Sequence, residues 1–308
     1  MSGMGKNAVR LLIGSQERRG LLASIVLYLT LAGVSFVFLY PILFIISGSA
    51  KDIYDLSNPL VRWVPTKITF DNYVKAYNVL GGFRTLGVSL AVMLSTALAQ
   101  TAVSALVGYG LAKYQFWGKP IFMGLLMVSF ILPPQTTFLS KYVLFNNFKM
   151  IGTVYPVLLP SLLGQGLKSA IFILIFYQFF KMAPKSLDEA AFIDGAGHFT
   201  TFWRINLALA APAIVVVFIF SFVWNWNDTY LTGTYFGTSV NTLPLMLERF
   251  VEHFRKMYPT TAENQLLRLN EGLRMAGTLL TIIPLVIIYV LVERRLIESI
   301  DRAGITGE

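Results

Sequence analysis

Six long apolar runs constrain this sequence more than any other feature. A helix needs about 20 consecutive apolar residues to cross the hydrocarbon core of a bilayer, and only helices and closed barrels satisfy their backbone hydrogen bonds there. The chain is 55% hydrophobic and only 13% charged, which is about half the charge of a typical soluble domain. The sequence therefore predicts an all-α, polytopic membrane protein with six transmembrane helices, near residues 21–47, 84–112, 120–137, 166–182, 206–230 and 274–293.

The runs divide the chain into three parts. We expect a cytoplasmic N-terminal segment (1–20), a six-helix domain (21–296) and a cytoplasmic tail (297–308). The first run is too long for a signal-peptide core and should remain as an anchor. Lys and Arg are denser in the segments assigned to the inside than in the other connections, which places both termini in the cytoplasm. Pro160, Gly164 and Gly166 predict a short external helix over 154–163 before the fourth crossing.

The composition argues against several classes of function. The net charge of +9 is carried mostly by residues that flank apolar runs, so we expect lipid head-group contacts and no nucleic-acid partner. The two histidines, His198 and His253, are assigned to opposite sides of the membrane, which argues against a metal or His-based catalytic site. The sequence has no Gly-x-x-x-x-Gly-Lys-Ser/Thr loop, so we expect no ATPase site on this chain.

One compact charged segment, LDEAAFIDGAGHFTTFWRINLALAAPAI, separates the fourth and fifth runs. Ser186 and Glu189 have the spacing of a capping box, Asp188 suits the first turn of a helix, and Gly195 suits the left-handed residue that ends one. The pattern predicts a short helix, a tight turn and a second helix that continues into the fifth run. Acids and alanines favour a protein partner over the alternative, a helix pair resting on lipid head groups.

These residues resemble a known motif. Glu189, Ala190 and Ala191, then Gly195 and, nine residues later, INLA resemble the EAA loop of binding-protein-dependent ABC importer permeases. Longer stretches, in the same order, resemble carbohydrate-importer permeases: ALVGYGLAKYQFWGKPIF, FILPPQTTFLSKYVLFNNF, VWNWNDTYLTGTYF followed by TLPLML, and GLRMAGTLLTIIPLVIIY. The resemblance covers about residues 20 to 308.

The resemblance implies a type I ABC importer permease fold in a bacterial plasma membrane, lining half of a pathway for sugars or oligosaccharides. It implies a second, homologous but different permease, two cytoplasmic ATPase subunits that bind ATP and Mg, and an extracellular solute-binding protein. This chain would bind no cofactor itself. Loop 183–205 would be the helix that docks in a groove of the ATPase, and the implied coupling residues are Ser186, Asp188, Glu189, Ala190, Ala191, Asp194 and Gly195.

The sequence departs from the family pattern at Ala208, where proline is usual, and this predicts that the second helix lacks its usual kink. Candidate substrate contacts are Asn225, Asn227 and Asp228, with Gln135 from the third run, because sugar hydroxyls bind amides and carboxylates. The alternative is an interfacial aromatic belt with ordinary polar end residues.

Two alternatives of function stay open. A self-contained secondary transporter usually shows repeated halves and buried carboxylates for ion coupling. This sequence shows no repeated halves, and Asp228 is the one acid within an apolar run apart from Glu293, the last residue of the sixth run. The other alternative is an ABC importer for a solute that is not a sugar.

Overall fold

The fold is that of a helical membrane protein, seen in a computed structural model. The structure describes residues 14–15, 18–259 and 269–305, with the side chains of 20–259 and 269–293. Apart from a two-residue antiparallel ladder between β1 (Gly14–Ser15) and β2 (Arg18–Arg19), the regular elements of the described chain are helices. The expected cytoplasmic segment 1–20 lies mostly outside the described residues, as do the side chains of the tail 297–308.

Fifteen helices follow one another along the described residues. They are α1 (Leu21–Ser49), α2 (Ile53–Ser57), α3 (Asp71–Val79), α4 (Gly82–Lys113), α5 (Lys119–Ile131), α6 (Pro134–Asn147), α7 (Tyr155–Leu162), α8 (Ser169–Met182), α9 (Lys185–Ile193), α10 (His198–Leu209), α11 (Ala211–Asn227), α12 (Thr229–Phe236), α13 (Leu243–Glu248), α14 (Phe250–Met257) and α15 (Glu271–Ile305).

Three of the described helices, α1, α4 and α15, are long and apolar enough to cross a membrane. Six spans are reached if each of three bent helix pairs counts as one. The short helix expected over 154–163 is present as α7, and the fourth apolar helix starts after Gly166, as α8.

The third run differs from the prediction of a helix over 120–137. Helices α5 and α6 meet at an angle of 101°. Leu132 and Pro133 are extended (ψ 124° and 139°), because a residue that precedes proline is driven out of the helical region. Both Leu132 and Pro133 precede a proline, so the span predicted over 120–137 is divided into two helices at this point.

The chain separates into two compact units. The first contains the described residues of 1–76 and 261–279, and a buried amide organises its connections. The Asn72 side chain donates to the carbonyls of Ser49 (3.0 Å) and Lys51 (2.7 Å), and the Lys51 ammonium donates to two carbonyls of the following loop. Of the 29 residues of α1, only Gly48 and Ser49 are buried, as expected of a helix whose apolar surface faces lipid or another chain.

The second unit contains the described residues of 77–260 and 280–308. Helix α4 is its centre, packed against α7, α8 and α11. Gly108 allows the closest of these contacts, since a Cβ there would lie 2.6 Å from the Phe176 Cβ and 2.9 Å from the Tyr177 nitrogen of α8. The buried core around this contact consists of Ala105, Tyr109, Phe172, Phe176, Phe180, Phe202, Ala210, Ala213 and Val217.

Candidate functional site

The segment between α8 and α11, residues 183–209, is called the connecting segment below, and it begins with α9. The structure starts this helix at Lys185, after an extended Pro184, and no side chain caps its N-terminus. The predicted capping box between Ser186 and Glu189 is therefore wrong. Proline fixes its own backbone in a geometry that can precede a first turn, which places Ser186 inside the helix instead of before it. Asp188 does lie in the first turn.

Helix α9 ends as predicted, at a left-handed Gly195 with φ +82°. The amide of Gly195 donates to the Phe192 carbonyl (3.1 Å), and the amide of Ala196 donates to the Ala191 carbonyl (2.9 Å). These two hydrogen bonds form a Schellman motif, which satisfies carbonyls that the end of a helix leaves free. The turn directs the chain straight into α10.

The second helix of the segment is neither straight nor regular. Residues Thr201–Asn206 form a π-helical turn, a feature that is frequent at functional sites. Helix α10 then meets α11 at an angle of 76°, so the absence of a kink predicted from Ala208 is wrong. Pro212 lies at the start of α11 and has no amide hydrogen to continue the helix across the break. Pro212, four residues after Ala208, thus lies beside a bend in the same region where the family motif has its proline.

Asp188 anchors the connecting segment to the rest of the chain. One carboxylate oxygen lies 2.6 Å from the Lys113 ammonium at the end of α4. The other accepts a hydrogen bond of 2.7 Å from the Asn206 amide in the π-helical turn. Both charged side chains are mostly buried. Neither partner is evident from the local sequence, because each is separated from Asp188 by at least 18 residues.

Aromatic rings pack around this anchor. The Tyr109 ring of α4 lies 4.8 Å from Phe202 and 5.4 Å from Phe180, measured between ring centroids. The His198 ring lies edge-on to Phe192 (5.0 Å) and to a tyrosine after α4. His198 therefore packs as an aromatic side chain, and the described residues contain no group of three His, Cys, Asp or Glu that could hold a metal.

Much of the remaining surface of the connecting segment is exposed and not packed against the rest of the chain. Of the predicted coupling residues, Ser186, Glu189, Ala190, Asp194 and Gly195 are exposed, and Ala191 is buried against the rest of the chain. Large apolar side chains are exposed beside them, with Ile193 at 86% and Phe199 at 76%. An acidic helix that exposes apolar side chains as well has the mixed character of a protein-binding surface.

A second polar group lies within the apolar helices, and only one of its members was predicted. The amide cluster consists of Gln100, Ser169, Ser221 and Asn225. The Gln100 amide nitrogen donates to the Leu167 carbonyl (2.8 Å) and to Ser169 (3.0 Å), and its oxygen accepts from Ser221 and from Asn225 (2.9 Å). Gln100 is fully buried and Asn225 nearly so. Asn225, predicted as a substrate contact, thus joins α11 to α4 instead.

The other three candidate substrate residues lie in different surroundings. Asp228 accepts a hydrogen bond from the Leu231 amide (3.1 Å) and so caps α12. Asn227 and Gln135 are exposed. Gln135 lies on α6, which contacts α12, the helix that follows Asn227 in the chain: the Phe138 ring of α6 lies 5.4 Å from the Tyr230 ring of α12.

An apolar cleft of about 560 Å³ adjoins the connecting segment within the second unit. It is lined by Phe202, Trp203 and Leu207 of α10 together with side chains of α4, α11 and α15. Its walls are almost entirely apolar, so the cleft offers few hydrogen-bond partners for a polar solute.

Comparisons with known proteins agree with this architecture. A family model described as "Binding-protein-dependent transport system inner membrane component" matches residues 100–302, a range that includes the connecting segment and the amide cluster. A solved structure titled "Crystal structure of a bacterial ABC transporter involved in the import of the acidic polysaccharide alginate" is similar with a TM-score of 0.72 at 18% identity, covering 88% of this chain and 95% of that one.

Curated proteins are similar over nearly their whole length. An arabinooligosaccharides transport system permease protein, AraQ, of Halalkalibacterium halodurans is 24% identical over 90% of this chain and 94% of its own. A probable starch degradation products transport system permease protein, AmyC, of Thermoanaerobacterium thermosulfurigenes is 27% identical over 88% and 94%. The maltodextrin transport system permease protein MalD of Streptococcus pneumoniae is 25% identical over 91% and 94%.

Proposed function

Because the chain belongs to the family of binding-protein-dependent transport system inner membrane components, we propose that it is the permease subunit of an ATP-driven importer for sugars or oligosaccharides. The observation that carries the proposal is α9, a short helix with an exposed acidic and apolar face, inserted between two apolar helices and closed by the turn at Gly195. Exposed apolar side chains beside acidic ones are typical of a surface that contacts another protein.

The partner we propose is a cytoplasmic ATPase subunit. Glu189 is exposed on α9 and has no hydrogen bond or ion pair among the described side chains, so its carboxylate is available for a basic residue of the ATPase groove. Ala190 lets the partner approach the helix backbone closely. Asp194 and Gly195 complete the exposed face, whereas Asp188 has its contacts within the chain. ATP and Mg would be bound by that partner.

The pathway for the solute requires further chains. We propose a second permease, homologous to this one and different from it, because one such chain supplies half of a pathway, and an extracellular binding protein that delivers the solute. Asn227 and Gln135 are the proposed solute contacts, since both amides are exposed. Sugars are the proposed solutes because the relatives named above transport arabinooligosaccharides, starch degradation products and maltodextrin. Ion-coupled secondary transport is not favoured, since the family is one of binding-protein-dependent systems.

The ATPase contact can be tested by purifying the assembled transporter through a tag on this chain. Glu189→Lys places a positive charge against the basic groove, and we expect the ATPase recovered per permease to fall at least about tenfold, equal to about 1.4 kcal/mol. Glu252→Lys is the matched control, since Glu252 is exposed on α14, far along the chain from α9. Equal recovery of the ATPase with both variants would contradict the proposal.

Orientation and solute each have a direct test. The sequence contains no cysteine, so a single cysteine at Thr200 or at Tyr258 is the only thiol of the chain. We propose a cytoplasmic connecting segment and cytoplasmic termini, and expect an impermeant maleimide added outside cells to label the Tyr258 position alone.

The solute is tested by ATP hydrolysis. Oligosaccharides, added with their binding protein, should stimulate ATP hydrolysis by the reconstituted complex. Stimulation by another solute class alone would contradict the sugar assignment but not the assignment as a permease.

A further inference from the structure

The ion pair between Lys113 and Asp188 differs from the other ion pairs of the described side chains. The pairs Glu252–Lys256 and Glu271–Arg274 lie within one helix, and their side chains are at least half exposed. The Lys113 and Asp188 side chains are 13% and 14% exposed, and they join helices separated by 75 residues of sequence. This pair therefore connects two distant parts of the chain.

The same carboxylate connects a third part. Its second oxygen accepts from the Asn206 side chain at 2.7 Å, and Asn206 is 1% exposed. The Asn206 amide also donates to the Thr201 carbonyl at 3.3 Å, across the π-helical turn. Asp188 thus holds the first turn of α9 to the end of α4 and to the helix that bends into α11.

The two helix ends suit the charges placed there. Lys113 lies in the last turn of α4 and Asp188 in the first turn of α9, where the helix dipoles favour a cation and an anion respectively. A buried ion pair nevertheless gives little net stability, since well-packed apolar residues of similar volume do as well or better. What the pair does provide is a fixed geometry, because both oxygens of one carboxylate are directed at named donors.

The helices held by Asp188 also meet at a second point. Gln100 of α4 accepts hydrogen bonds from Ser221 and Asn225 of α11, about 13 residues, or about 20 Å, along α4 from Lys113. A rotation of α9 would therefore be passed to α4 and α11 as a connected pair. We infer that Asp188, clamped between Lys113 and Asn206, is a positioning residue that transmits movement of the ATPase-bound helix α9 to α4 and α11; this inference rests on the proposed function.

The test separates docking from transmission. The complete transporter is purified through this chain with one cysteine at Thr234, which is exposed on α12 directly after α11. The rate of maleimide labelling is compared with and without ATP, Mg and vanadate. We expect the parent chain to show at least about a threefold change in rate and Asp188→Asn to reduce it below about 1.5-fold, while the recovered ATPase stays the same.

Two further variants show whether geometry or mere stability is responsible. Exchanging the charges, Lys113→Asp with Asp188→Lys, should restore at least half of the change in labelling, and Asn206→Ala should reduce the change about twofold. Glu271→Gln, which removes an exposed ion pair, is the control and should leave it unaltered. A full response in both Asp188→Asn and Asn206→Ala would overturn the inference. Absence of the ATPase from the parent complex would instead overturn the proposed function.

Discussion

The connecting segment and the amide cluster both place polar residues between apolar helices, but they treat these residues in opposite ways. In the amide cluster, each hydrogen-bonding group of Gln100 has a partner within the chain, and the cluster is buried. In the connecting segment, Asp188 alone of the acids is held internally, and Glu189 and Asp194 are exposed.

The difference indicates which polar residues of a membrane protein serve an external partner. A polar side chain inside an apolar environment is costly unless it is hydrogen-bonded, so a satisfied and buried one, such as Asn225, is accounted for by the fold. An exposed one without an internal partner, such as Glu189, is available for another molecule. This distinction moves Asn225 toward a structural role and leaves Asn227 and Gln135 as the solute candidates.

The largest effect on stability is expected where α4 packs on α8, because both the connecting segment and the amide cluster depend on this contact. Gly108→Ala introduces a Cβ 2.6 Å from the Phe176 Cβ and 3.0 Å from the Ile173 carbonyl oxygen, so the helices must separate. Overpacking of this kind costs about 1–3 kcal/mol. We therefore expect Gly108→Ala to lower the thermal midpoint in detergent and to weaken the contacts of both the connecting segment and the amide cluster.

Gly110 provides the matched control on the same helix. A Cβ at Gly110 meets no atom within 4 Å, and alanine is favoured over glycine in a helix by about 1 kcal/mol. Gly110→Ala should therefore leave the thermal midpoint unchanged or raise it. Equal midpoints for the two variants would show that α4 and α8 are not held together at Gly108.

The next effect tests whether the amide cluster is structural. Gln100→Leu removes four hydrogen bonds, each worth on average about 0.6 kcal/mol within a membrane. We expect a loss of about 2 kcal/mol in the free energy of unfolding in mixed micelles. Gln135→Leu is the control, because Gln135 is exposed, and it should lower transport without lowering stability. A stable Gln100→Leu variant would return Asn225 to the candidates for solute contact.

The positions of the helices could be predicted from the sequence because hydropathy and helix breakers act locally. The six apolar runs, the short helix α7 and the turn at Gly195 all depend on residues within a few positions of one another. Predictions from a local pattern were wrong where a nearby proline competed with that pattern. Ser186 has the spacing of a cap, yet Pro184 starts the helix before it. The kink that Ala208 was predicted to abolish is present, beside Pro212.

The partners of Asp188 and Gln100 could not be predicted, because each depends on how distant helices pack. A single glutamine within an apolar run signals that some partner exists, but nothing local identifies Ser221, 121 residues away. Lys113 could not be recognised as the partner of Asp188 either. It lies at the end of a predicted helix, where the helix dipole favours a cation without any ion pair. Motif resemblance identified the candidate site, and only the fold assigned the contacts that its residues make within the chain.

The smallest effect is expected in the exposed connecting segment, at the turn that ends α9, where a substitution changes only the backbone conformation. Gly195 has φ +82°, and a Cβ there would meet no atom within 4 Å. Gly195→Ala therefore changes only the backbone preference, which costs about 1–2 kcal/mol for a left-handed residue with a side chain. If α9 must be closed by this turn to dock, recovery of the ATPase with the tagged permease should fall about tenfold, because 1.4 kcal/mol corresponds to a factor of ten. The thermal midpoint should fall less than with Gly108→Ala, because unwinding the last turn of α9 alone relieves the strain.

Gly197 provides the matched control for Gly195→Ala. It lies two residues further on, it too has no atom within 4 Å of an added Cβ, and its φ of −76° suits any residue. Gly197→Ala should therefore retain the ATPase fully. A loss of the ATPase with both variants would mean that the partner packs directly on this turn and excludes any methyl group. Retention with both would mean that docking tolerates a distorted end of α9, and the exposed face around Glu189 would have to bind the ATPase without the turn that now orients it.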